Sequence, residues 1–533
     1  MGKQFLFGRG KLLQRCIALA CQSGKVSDFV LTILCAAFLL MGYDQGVYSS
    51  VVSNPDFLEK VGHPDDVELG IIVASYNLGC FLGTIFAFVF CERLGRRWSI
   101  WVAMGWIILG AVLQCSAFSR AHLVIGRVIC GVGTGIDTAT VPMYQSELSE
   151  PHRRGRLVSA ELFCVTVGIL FAYWFDYGMN YVDNSSSWRL PIATQILIAL
   201  VPVFIVFGIP ESPRYLCKMG KSEEALEVLS CVYDESTDHR DVVKEHGDIM
   251  KALAIESGYE QGWAQLFKRD RVRTNRRILL AYGINSLNQL CGINVIVYFI
   301  PTVLNVNVGL SGNMSQLVGG LINFCNTAGS IFPVLFADKY GRRRPLMLGA
   351  GGLAFCMMMV AILLSFKGNP EIGQITAKVS VAFFFLYMLI FGIGIGCFTW
   401  VYGPEVLPLH VRAKGNAMGI SAVWLWNFVV VMVTPVLINR VQWGTYLIFA
   451  VLNFVYVPIL YLFYPELTNM TLEEVDDVFT DDVSPVKAAA QIQANRLQRL
   501  DNNPDDSGTT TLSNSETVLS QKALEEVRLE RIG

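Results

Sequence analysis

The stretch CERLGRRW at residues 91–98 has a counterpart, ADKYGRRR, at residues 337–344. In each copy an acidic residue is followed by a basic residue, a bulky residue, a glycine and two arginines. The acidic residues Glu92 and Asp338 lie 246 positions apart, which is 338 minus 92. This spacing indicates that the chain consists of two similar halves.

A second repeated pair supports the same division. SELSEPHRRG at 146–155 is similar to PEVLPLHVRAKG at 404–415, with Glu147 aligned to Glu405. Each repeated motif follows the second or the fourth apolar stretch of its half. Two six-helix units in parallel repeat are the layout of transporters that rock around a central site. A channel or a membrane enzyme does not require such a duplication.

Apolar stretches make up most of both halves. Of the 533 residues, 53% are hydrophobic and 16% are charged, whereas roughly a quarter of a soluble protein is charged. A spanning helix takes roughly 20 apolar residues. We therefore predict an all-α membrane protein with twelve transmembrane helices in two six-helix bundles. The predicted spans are 29–52, 68–90, 98–118, 122–143, 157–179, 189–208, 277–305, 315–337, 345–366, 377–403, 415–437 and 443–464.

The polar stretches divide the chain further. We expect a cytoplasmic leader at 1–28, an N-terminal bundle at 29–208 and a cytoplasmic helical insert at 209–276. A C-terminal bundle at 277–464 and a largely disordered cytoplasmic tail at 465–533 follow. The fourteen cysteines and six histidines form no ligand or disulfide pattern. No metal, cofactor or enzymatic nucleophile is therefore expected.

Basic residues choose the orientation. The leader and the loops after spans 2, 4, 8 and 10 are rich in Lys and Arg, and such loops stay in the cytoplasm. Both termini are therefore predicted to be cytoplasmic. The glycosylation sequons at Asn184 and Asn313 fall on the predicted outer side.

Asp44 is an acidic residue inside an apolar span, in FLLMGYDQGVYSS at 38–50. A charge at the centre of such a helix costs about 2.5–3.5 kcal/mol on insertion scales. A second acid, Asp137, lies in the fourth predicted span. It is either another polar contact or a carboxylate satisfied by a neighbouring helix.

Seven motifs together resemble the sugar porter family of the major facilitator superfamily, over about residues 29–476. The chain looks most like the fungal sugar transporters of that family. The motifs are ERLGRR, YQSELSEPHRRGRLVS, PESPRYL, NQLCGINVIVYF, DKYGRRR, PEVLPLHVRAKG and PELTNMTLEE. The resemblance implies the major facilitator fold.

The resemblance gives Asp44 a partner and a role. In proton-coupled members of the family, a carboxylate at this position faces an arginine of the fourth span, which here is Arg127. Each charge would offset the desolvation of the other. A modest change in water access would then add or remove a proton, so the pair is expected to couple proton entry to sugar entry. The alternative is a static clip between two helices.

The expected sugar site combines amides, which donate to and accept from hydroxyl groups, with aromatic faces that cover a sugar ring. Two of these residues, Trp400 and Trp424, have ordinary core or interface packing as an alternative. The candidate residues are Asn288, Gln289, Asn294, Asn323, Trp400 and Trp424.

The chain departs from the family pattern at three sugar positions. Asn288 replaces the first of two glutamines, Leu162 (beside Glu161) replaces another glutamine, and Val423 replaces an asparagine. Two lost hydrogen-bonding positions would weaken a hexose in the usual pose by several kcal/mol, at about 1–3 kcal/mol each. A different sugar, a disaccharide or a polyol therefore remains open.

Carboxylates and arginines recur together at the cytoplasmic ends of both halves. We expect a cytoplasmic gate in which ion pairs latch the inner mouth in the outward-open state, with simple positive-inside topology as the alternative. Glu92 stands where the family usually has Asp. The gate residues are Glu92, Arg96, Arg97, Glu147, Arg153, Arg154, Glu211, Arg214, Asp338, Arg342, Arg343, Glu405 and Arg412.

The expected function is proton-coupled sugar symport by alternating access in the plasma membrane. A facilitative sugar or polyol uniporter is the first alternative, and a sugar-sensing receptor is the second. The expected partners are a small-molecule sugar, protons and the lipid bilayer. Neither a nucleic acid nor a second copy of the chain is expected.

Overall fold

The computed structural model describes residues 26–148, 154–206, 209–258, 270–408, 411–468, 470, 472–480 and 484–502. Eleven of the described helices are long and apolar enough to cross a membrane, and the helix Val26–Gly46 precedes them in the position of the first predicted span. The spans are Val26–Gly46 with Tyr48–Val51 (span 1), Asp66–Leu94 (2), Arg96–Cys115 (3), Arg120–Glu147 (4), Arg154–Met179 (5), Ser186–Val206 (6), Thr274–Leu290 with Ile293–Val303 (7), Gly312–Tyr340 (8), Arg343–Ser365 (9), Gly373–Ile393 with Ile395–Val406 (10), Arg412–Val436 (11) and Trp443–Phe463 (12).

Large apolar side chains cover the outside of the bundle. Leu197, Leu348 and Phe454 are 66%, 77% and 70% exposed. A soluble monomer rarely exposes so much contiguous apolar surface, whereas lipid accepts it. The protein is therefore a multi-pass membrane protein.

The two halves pack by the same scheme. In the first half, span 1 packs on span 5, span 4 on spans 2 and 3, and span 6 on span 3. Adding six to each number gives the main contacts of the second half, namely 7 with 11, 10 with 8 and 9, and 12 with 9. The halves meet where span 2 packs on span 11 and where span 5 packs on span 8. Exchanging the two halves turns each of these contacts into the other. The internal repeat predicted from the sequence is therefore present in the fold.

The two ends of the molecule differ. We call the end that carries Arg96 and Arg342 the basic end, and the other the opposite end. At the opposite end the halves are joined by hydrogen bonds. These run from Asn180 Nδ2 to Asn313 Oδ1 (2.8 Å), from Asn439 Nδ2 to Asp66 Oδ1 (2.7 Å) and between the Ser53 and Thr302 hydroxyls (3.3 Å). The opposite end is therefore closed in this conformation.

Span 7 is broken in its middle. Gly292 has φ +96°, a left-handed conformation that glycine adopts without strain. The interruption frees the carbonyl of Cys291, which accepts hydrogen bonds from Tyr387 Oη (3.0 Å) and Asn453 Nδ2 (2.8 Å). The break therefore places unwound, polar backbone at the centre of the molecule.

The short helix Pro55–Val61 lies between spans 1 and 2 at the opposite end, and the other described α-helices outside the spans lie at the basic end. The insert forms Pro213–Lys218, Ser222–Tyr233 and Arg240–Gly258. The segment after span 12 is helical at Leu472–Thr480 and Pro485–Asn502, so disorder predicted from the start of the tail is wrong for these residues. Residues 503–533, and most of the predicted leader, lie outside the described part of the chain.

The repeated glycines Gly95 and Gly341 form equivalent turns. Both have positive φ, +86° and +75°. In each turn the next backbone N–H, that of Arg96 or Arg342, donates to a glutamate at 2.9 Å, Glu211 in one half and Glu466 in the other. A Cβ atom at Gly341 would lie 2.7 Å from a carboxylate oxygen of Glu466.

We expect Gly341→Ala to destabilise the protein by about 1 kcal/mol or more, because alanine is strained at positive φ and its Cβ displaces Glu466. Thermal unfolding of the purified protein measures this. The control is Gly105→Ala, since a Cβ at Gly105 meets nothing within 4 Å. Equal unfolding temperatures for the two variants would contradict the role of this turn.

Candidate functional site

A cavity of about 770 Å³, counted with the open space at its mouth, lies between the two halves. It is bounded by spans 1 and 5 of the first half and by spans 7, 8, 10 and 11 of the second. Five of the six predicted sugar-site residues line it, namely Asn288, Gln289, Asn294, Trp400 and Trp424.

The amides of span 7 form a chain across the helix break. Asn288 Nδ2 donates to Thr399 Oγ1 (2.7 Å), and Gln289 Nε2 donates to Asn288 Oδ1 (2.8 Å). Asn294 Nδ2 donates to Gln289 Oε1 (2.7 Å), which joins the two helical segments. The break thus aligns three side-chain amides on the cavity wall.

Two tryptophans enclose the cavity from the second half. Trp424 is fully buried, stands edge-on to Tyr76 with ring centres 6.3 Å apart, and directs Nε1 toward Thr138 Oγ1 at 3.4 Å. Trp400 is only half-buried. Since Tyr76 and Thr138 belong to the first half, Trp424 bridges the halves, whereas Trp400 presents its ring to the cavity.

The sixth predicted sugar-site residue does not line the cavity. Asn323 is buried, and its Nδ2 donates to the Gly319 carbonyl of its own helix at 3.1 Å. Asn326, three positions further along span 8, lines the cavity instead. Asn323 therefore does not line the cavity in this conformation, and its role in the sugar site stays a prediction.

Three polar lining residues, Gln45, Asn427 and Ser330, were not predicted from the sequence. Leu162 and Val423, at which the chain departs from the family's sugar positions, form apolar parts of the wall. None of the described residues that line the cavity is charged. The cavity therefore offers neutral hydrogen-bonding groups and apolar surface.

Asp44 lies behind the cavity wall, against span 4. It is 1% exposed, and its Oδ2 accepts from Thr134 Oγ1 at 3.5 Å, with Cys130 Sγ at 3.9 Å. Its Oδ1 has no hydrogen-bond partner. An unsatisfied carboxylate oxygen this deeply buried is costly.

Arg127 is also 1% exposed but does not bind Asp44. Its Nη2 donates to the Val73 carbonyl (2.6 Å) and its Nε to the Ile72 carbonyl (3.3 Å). Its Cζ lies 3.7 Å from the centre of the Tyr48 ring. The direct ion pair expected from the sequence is therefore not formed in this conformation.

The register of spans 1 and 4 explains the missing ion pair. Tyr48, which faces Arg127, lies four residues beyond Asp44, and Cys130, which faces Asp44, lies three beyond Arg127. The two charges are thus offset by about one helical turn, or 5.4 Å. Backbone carbonyls and an aromatic face compensate the guanidinium in place of the carboxylate.

Asp137 and Glu161 are further buried carboxylates of the first half. Asp137 is 1% exposed, follows Thr134 by three positions and has an unpartnered Oδ1. Glu161 is fully buried, and the side-chain amide of Gln145, with its nitrogen toward Glu161, lies 2.5 and 2.9 Å from the two carboxylate oxygens. Asp137 thus gains no donor for Oδ1, while Glu161 is satisfied by a neighbouring helix.

At the basic end, arginines and glutamates pair within each half. Arg96 binds Glu147 through two hydrogen bonds, Nη2 to Oε1 at 2.8 Å and Nε to Oε2 at 3.0 Å. The equivalent contact in the second half joins Arg342 Nη2 to Glu405 Oε1 at 3.3 Å. Burial raises the pKa of the Glu211 carboxyl, an effect that its backbone N–H donors oppose.

Glu147 reaches Arg96 because the loop after span 2 lies against the end of span 4. The described pairs join elements of one half. The latch between halves is expected in the outward-open state, whereas this conformation is closed at the opposite end, so the latch stays a prediction. Arg97, Arg214, Arg343 and Arg412 also lie at this end. Four predicted gate side chains lie outside the described part, those of Glu92, Arg153, Arg154 and Asp338.

Both sequons lie at the opposite end. Asn184 is exposed in the turn before span 6, and Asn313 is exposed in the first turn of span 8. Asn313 Oδ1 already accepts from Asn180. The sequons thus lie at the end away from Arg96 and Arg342, as the sequence predicts.

Two repeated six-helix bundles with a polar cavity between them, lined by the broken span 7, define a membrane transporter. The family model described as "Sugar (and other) transporter" matches residues 29–479. The chain therefore belongs to the sugar porter family of the major facilitator superfamily, as its motifs suggested.

Named relatives agree with this assignment. The chain is 38% identical to the MFS-type transporter oryC of Aspergillus oryzae, over 86% of each chain. It is 32% identical to the sugar transporter STL1 of Saccharomyces cerevisiae, over 94% of this chain and 90% of the relative. The proton:xylose symporter XylE, bound to 6-bromo-6-deoxy-D-glucose, superimposes with a TM-score of 0.74 at 25% identity, over 85% of this chain and 99% of XylE. These proteins are transporters, and this protein is a transporter rather than an enzyme.

Proposed function

We propose that this protein carries a small, uncharged, polyhydroxylated molecule, a sugar or a polyol, together with a proton by alternating access. The observation that carries the proposal is Asp44, buried with an unpartnered carboxylate oxygen beside a fully buried Arg127 and directly behind the central cavity.

The chemistry of the cavity supports an uncharged substrate. A charged ligand would need a counter-charge on the wall, and no described lining residue carries one. Sugar hydroxyl groups both donate and accept, which matches the side-chain amides of Asn288, Gln289 and Asn294. The half-buried ring of Trp400 offers a flat apolar face for the C–H side of a sugar ring.

Span 1 offers a physical link between proton and substrate. Met41 and Gln45 face the cavity, while Asp44 and Tyr48 face span 4. A shift of this helix would move both faces together. A protonated Asp44 is neutral and does not attract Arg127. The contacts that Arg127 makes with Ile72, Val73 and Tyr48 are those expected when Asp44 is protonated.

Release of the proton would draw Arg127 toward Asp44 by about one helical turn. Such movement would loosen its contacts with span 2, which packs on span 11 of the other half. Proton binding would therefore favour closure of the opposite end, as in the conformation described.

The test is uptake into proteoliposomes with an imposed pH gradient. A panel of labelled monosaccharides, disaccharides and polyols identifies the substrate, and accumulation above the outside concentration that follows the gradient demonstrates coupling. Equilibration to equal concentrations at every pH would instead indicate the facilitative alternative. The facilitative alternative is tested here because Asp44 and Arg127 are not in contact in this conformation.

Leu162 provides a test of substrate class. Leu162→Gln places an amide on the cavity wall, so we expect affinity for a hexose to rise by about 2- to 10-fold, the worth of one net hydrogen bond. The control is Leu162→Met, which keeps the wall apolar and conserves volume. Inhibition of uptake by unlabelled hexose gives the affinity, and equal values for both variants would show that a sugar does not lie against this position.

The setting of the protein is part of the proposal. We place it in the plasma membrane as a monomer, with the basic end and both termini in the cytoplasm. The Lys- and Arg-rich loops lie at one end of the molecule and both sequons lie at the other, which supports this orientation. Under it, Asn184 is glycosylated and the cavity is closed to the outside.

A further inference from the structure

A second, smaller cavity lies at the opposite end and holds a buried carboxylate. It has a volume of about 200 Å³, counted with the open space at its mouth, and is lined by Ser50, Val51, Asn54, Asp176, Asn180, Ser187 and Gln316. Asp176 is 4% exposed, and neither of its carboxylate oxygens has a hydrogen-bond partner. Nothing in the proposed coupling of Asp44 uses this residue.

The cavity is rich in unsatisfied oxygen atoms. Besides the two of Asp176, the Oγ of Ser50 and the Oε1 of Gln316 are buried without partners. Two amide donors nearby are already engaged, since Asn54 Nδ2 donates to Ser187 Oγ (3.0 Å) and Asn180 Nδ2 to Asn313 Oδ1 (2.8 Å). Four oxygen atoms of the cavity, two from Asp176 and one each from Ser50 and Gln316, therefore have no hydrogen-bond partner.

No positive charge compensates Asp176. Among the described residues, no Lys, Arg or His nitrogen lies within 4.0 Å of it. The titratable groups in electrostatic range are the phenols of Tyr43 and Tyr173. An isolated carboxylate in such surroundings is strongly unfavourable unless it is neutralised.

We propose that this cavity binds one monovalent cation, either a proton on Asp176 or a sodium ion held by the four oxygens. Carboxylate, hydroxyl and amide oxygens are the ligands that hard cations prefer. The ligand is thus a second positive charge, separate from the proton proposed for Asp44.

The site is assembled only when the opposite end is closed. Ser50 and Asp176 belong to the first half, whereas Gln316 belongs to span 8 of the second. The Asn180–Asn313 hydrogen bond closes the halves beside it. Opening this end would separate Gln316 from Asp176 and admit water, which removes the need for the cation. Closure is therefore linked to cation uptake, and the cation favours the closed state.

The experiment measures closure directly. Nitroxide labels on unnatural amino acids at the exposed positions Lys60 and Glu371, one in each half at the opposite end, report open and closed populations by pulsed EPR. The protein carries Asp44→Asn, so the proposed coupling site does not contribute. Samples in lipid nanodiscs span pH 5 to 8 in choline chloride, with matched samples in sodium chloride.

We expect the closed population to fall as pH rises, with the closed-to-open ratio changing by up to about tenfold per pH unit for one linked proton. If sodium is the ligand, sodium chloride restores the closed population at pH 8. If the ligand is a proton alone, sodium chloride leaves the closed population at pH 8 as low as choline chloride does. Adding Asp176→Asn removes both responses and leaves the end closed. Gln316→Leu weakens the sodium response only.

The matched control is Asp183→Asn, an exposed acid at the same end, which retains the full response. Thermal unfolding verifies that each variant is folded. A closed population that ignores both pH and sodium, or that responds equally with and without Asp176, overturns the proposal. Neither result depends on transport, so the proposed symport is tested separately.

Discussion

Replacing Asp44 with Asn is expected to abolish uphill accumulation of substrate while leaving exchange of labelled for unlabelled substrate intact. Asparagine has the shape of a protonated aspartic acid and can keep the contact with Thr134, but it releases no proton. A wild-type protein that moves one proton per substrate accumulates up to about tenfold per unit of pH gradient. The variant should equilibrate to a ratio of one.

Proteoliposomes measure both quantities, because counterflow reports exchange and net uptake reports accumulation. The control is Glu371→Gln, an exposed acid at the opposite end, which should accumulate as the wild type does. Uphill accumulation by the Asp44→Asn variant would contradict the proposed coupling. Loss of both accumulation and exchange would indicate a folding defect.

Gln289→Ala is expected to raise KM by about 10- to 100-fold with a smaller effect on kcat. The glutamine is the middle of the amide chain, so its removal leaves Asn288 Oδ1 and Asn294 Nδ2 without their partners. A lost contact to substrate together with misplaced neighbours amounts to about 1–3 kcal/mol. Initial rates over a range of substrate concentrations separate the two parameters.

The matched control is Asn285→Ala on the same helix. Asn285 is also buried, but its Nδ2 donates to the Ala281 carbonyl of its own helix (3.0 Å), and it does not line the cavity. Its replacement should leave KM little changed. An equal rise in KM for both variants would mean that span 7 responds to any loss of packing.

The spans and the repeat were predictable because their signals are local. Apolar length shows a span directly, and the motifs around Gly95 and Gly341 mark equivalent turns. Helical order in Pro485–Asn502 also had a signal, since KAAAQIQANRLQRL contains strong helix formers. Its polar composition was instead interpreted as disorder.

The contacts between distant residues were not predictable. Arg96 reaches Glu147, 51 positions away. Glu466 was not predicted because the partners that tie it to the turn at Gly341 are the backbone N–H groups of Arg342 and Arg343. Asn323 and Asn326 differ by less than one turn, so the sequence alone does not decide which one lines the cavity. Asp176 had the signal that identified Asp44, an acid within an apolar span (FAYWFDYG), and was overlooked.

The paired turns at Gly95 and Gly341 bear on how the chain is made. The described partners of the first turn, Glu147 and Glu211, both precede the second bundle. A ribosome has therefore synthesised this whole cluster before it begins span 7. The first bundle can form the contacts of this turn while the second bundle is still being translated. The two bundles then need only dock along spans 2, 5, 8 and 11.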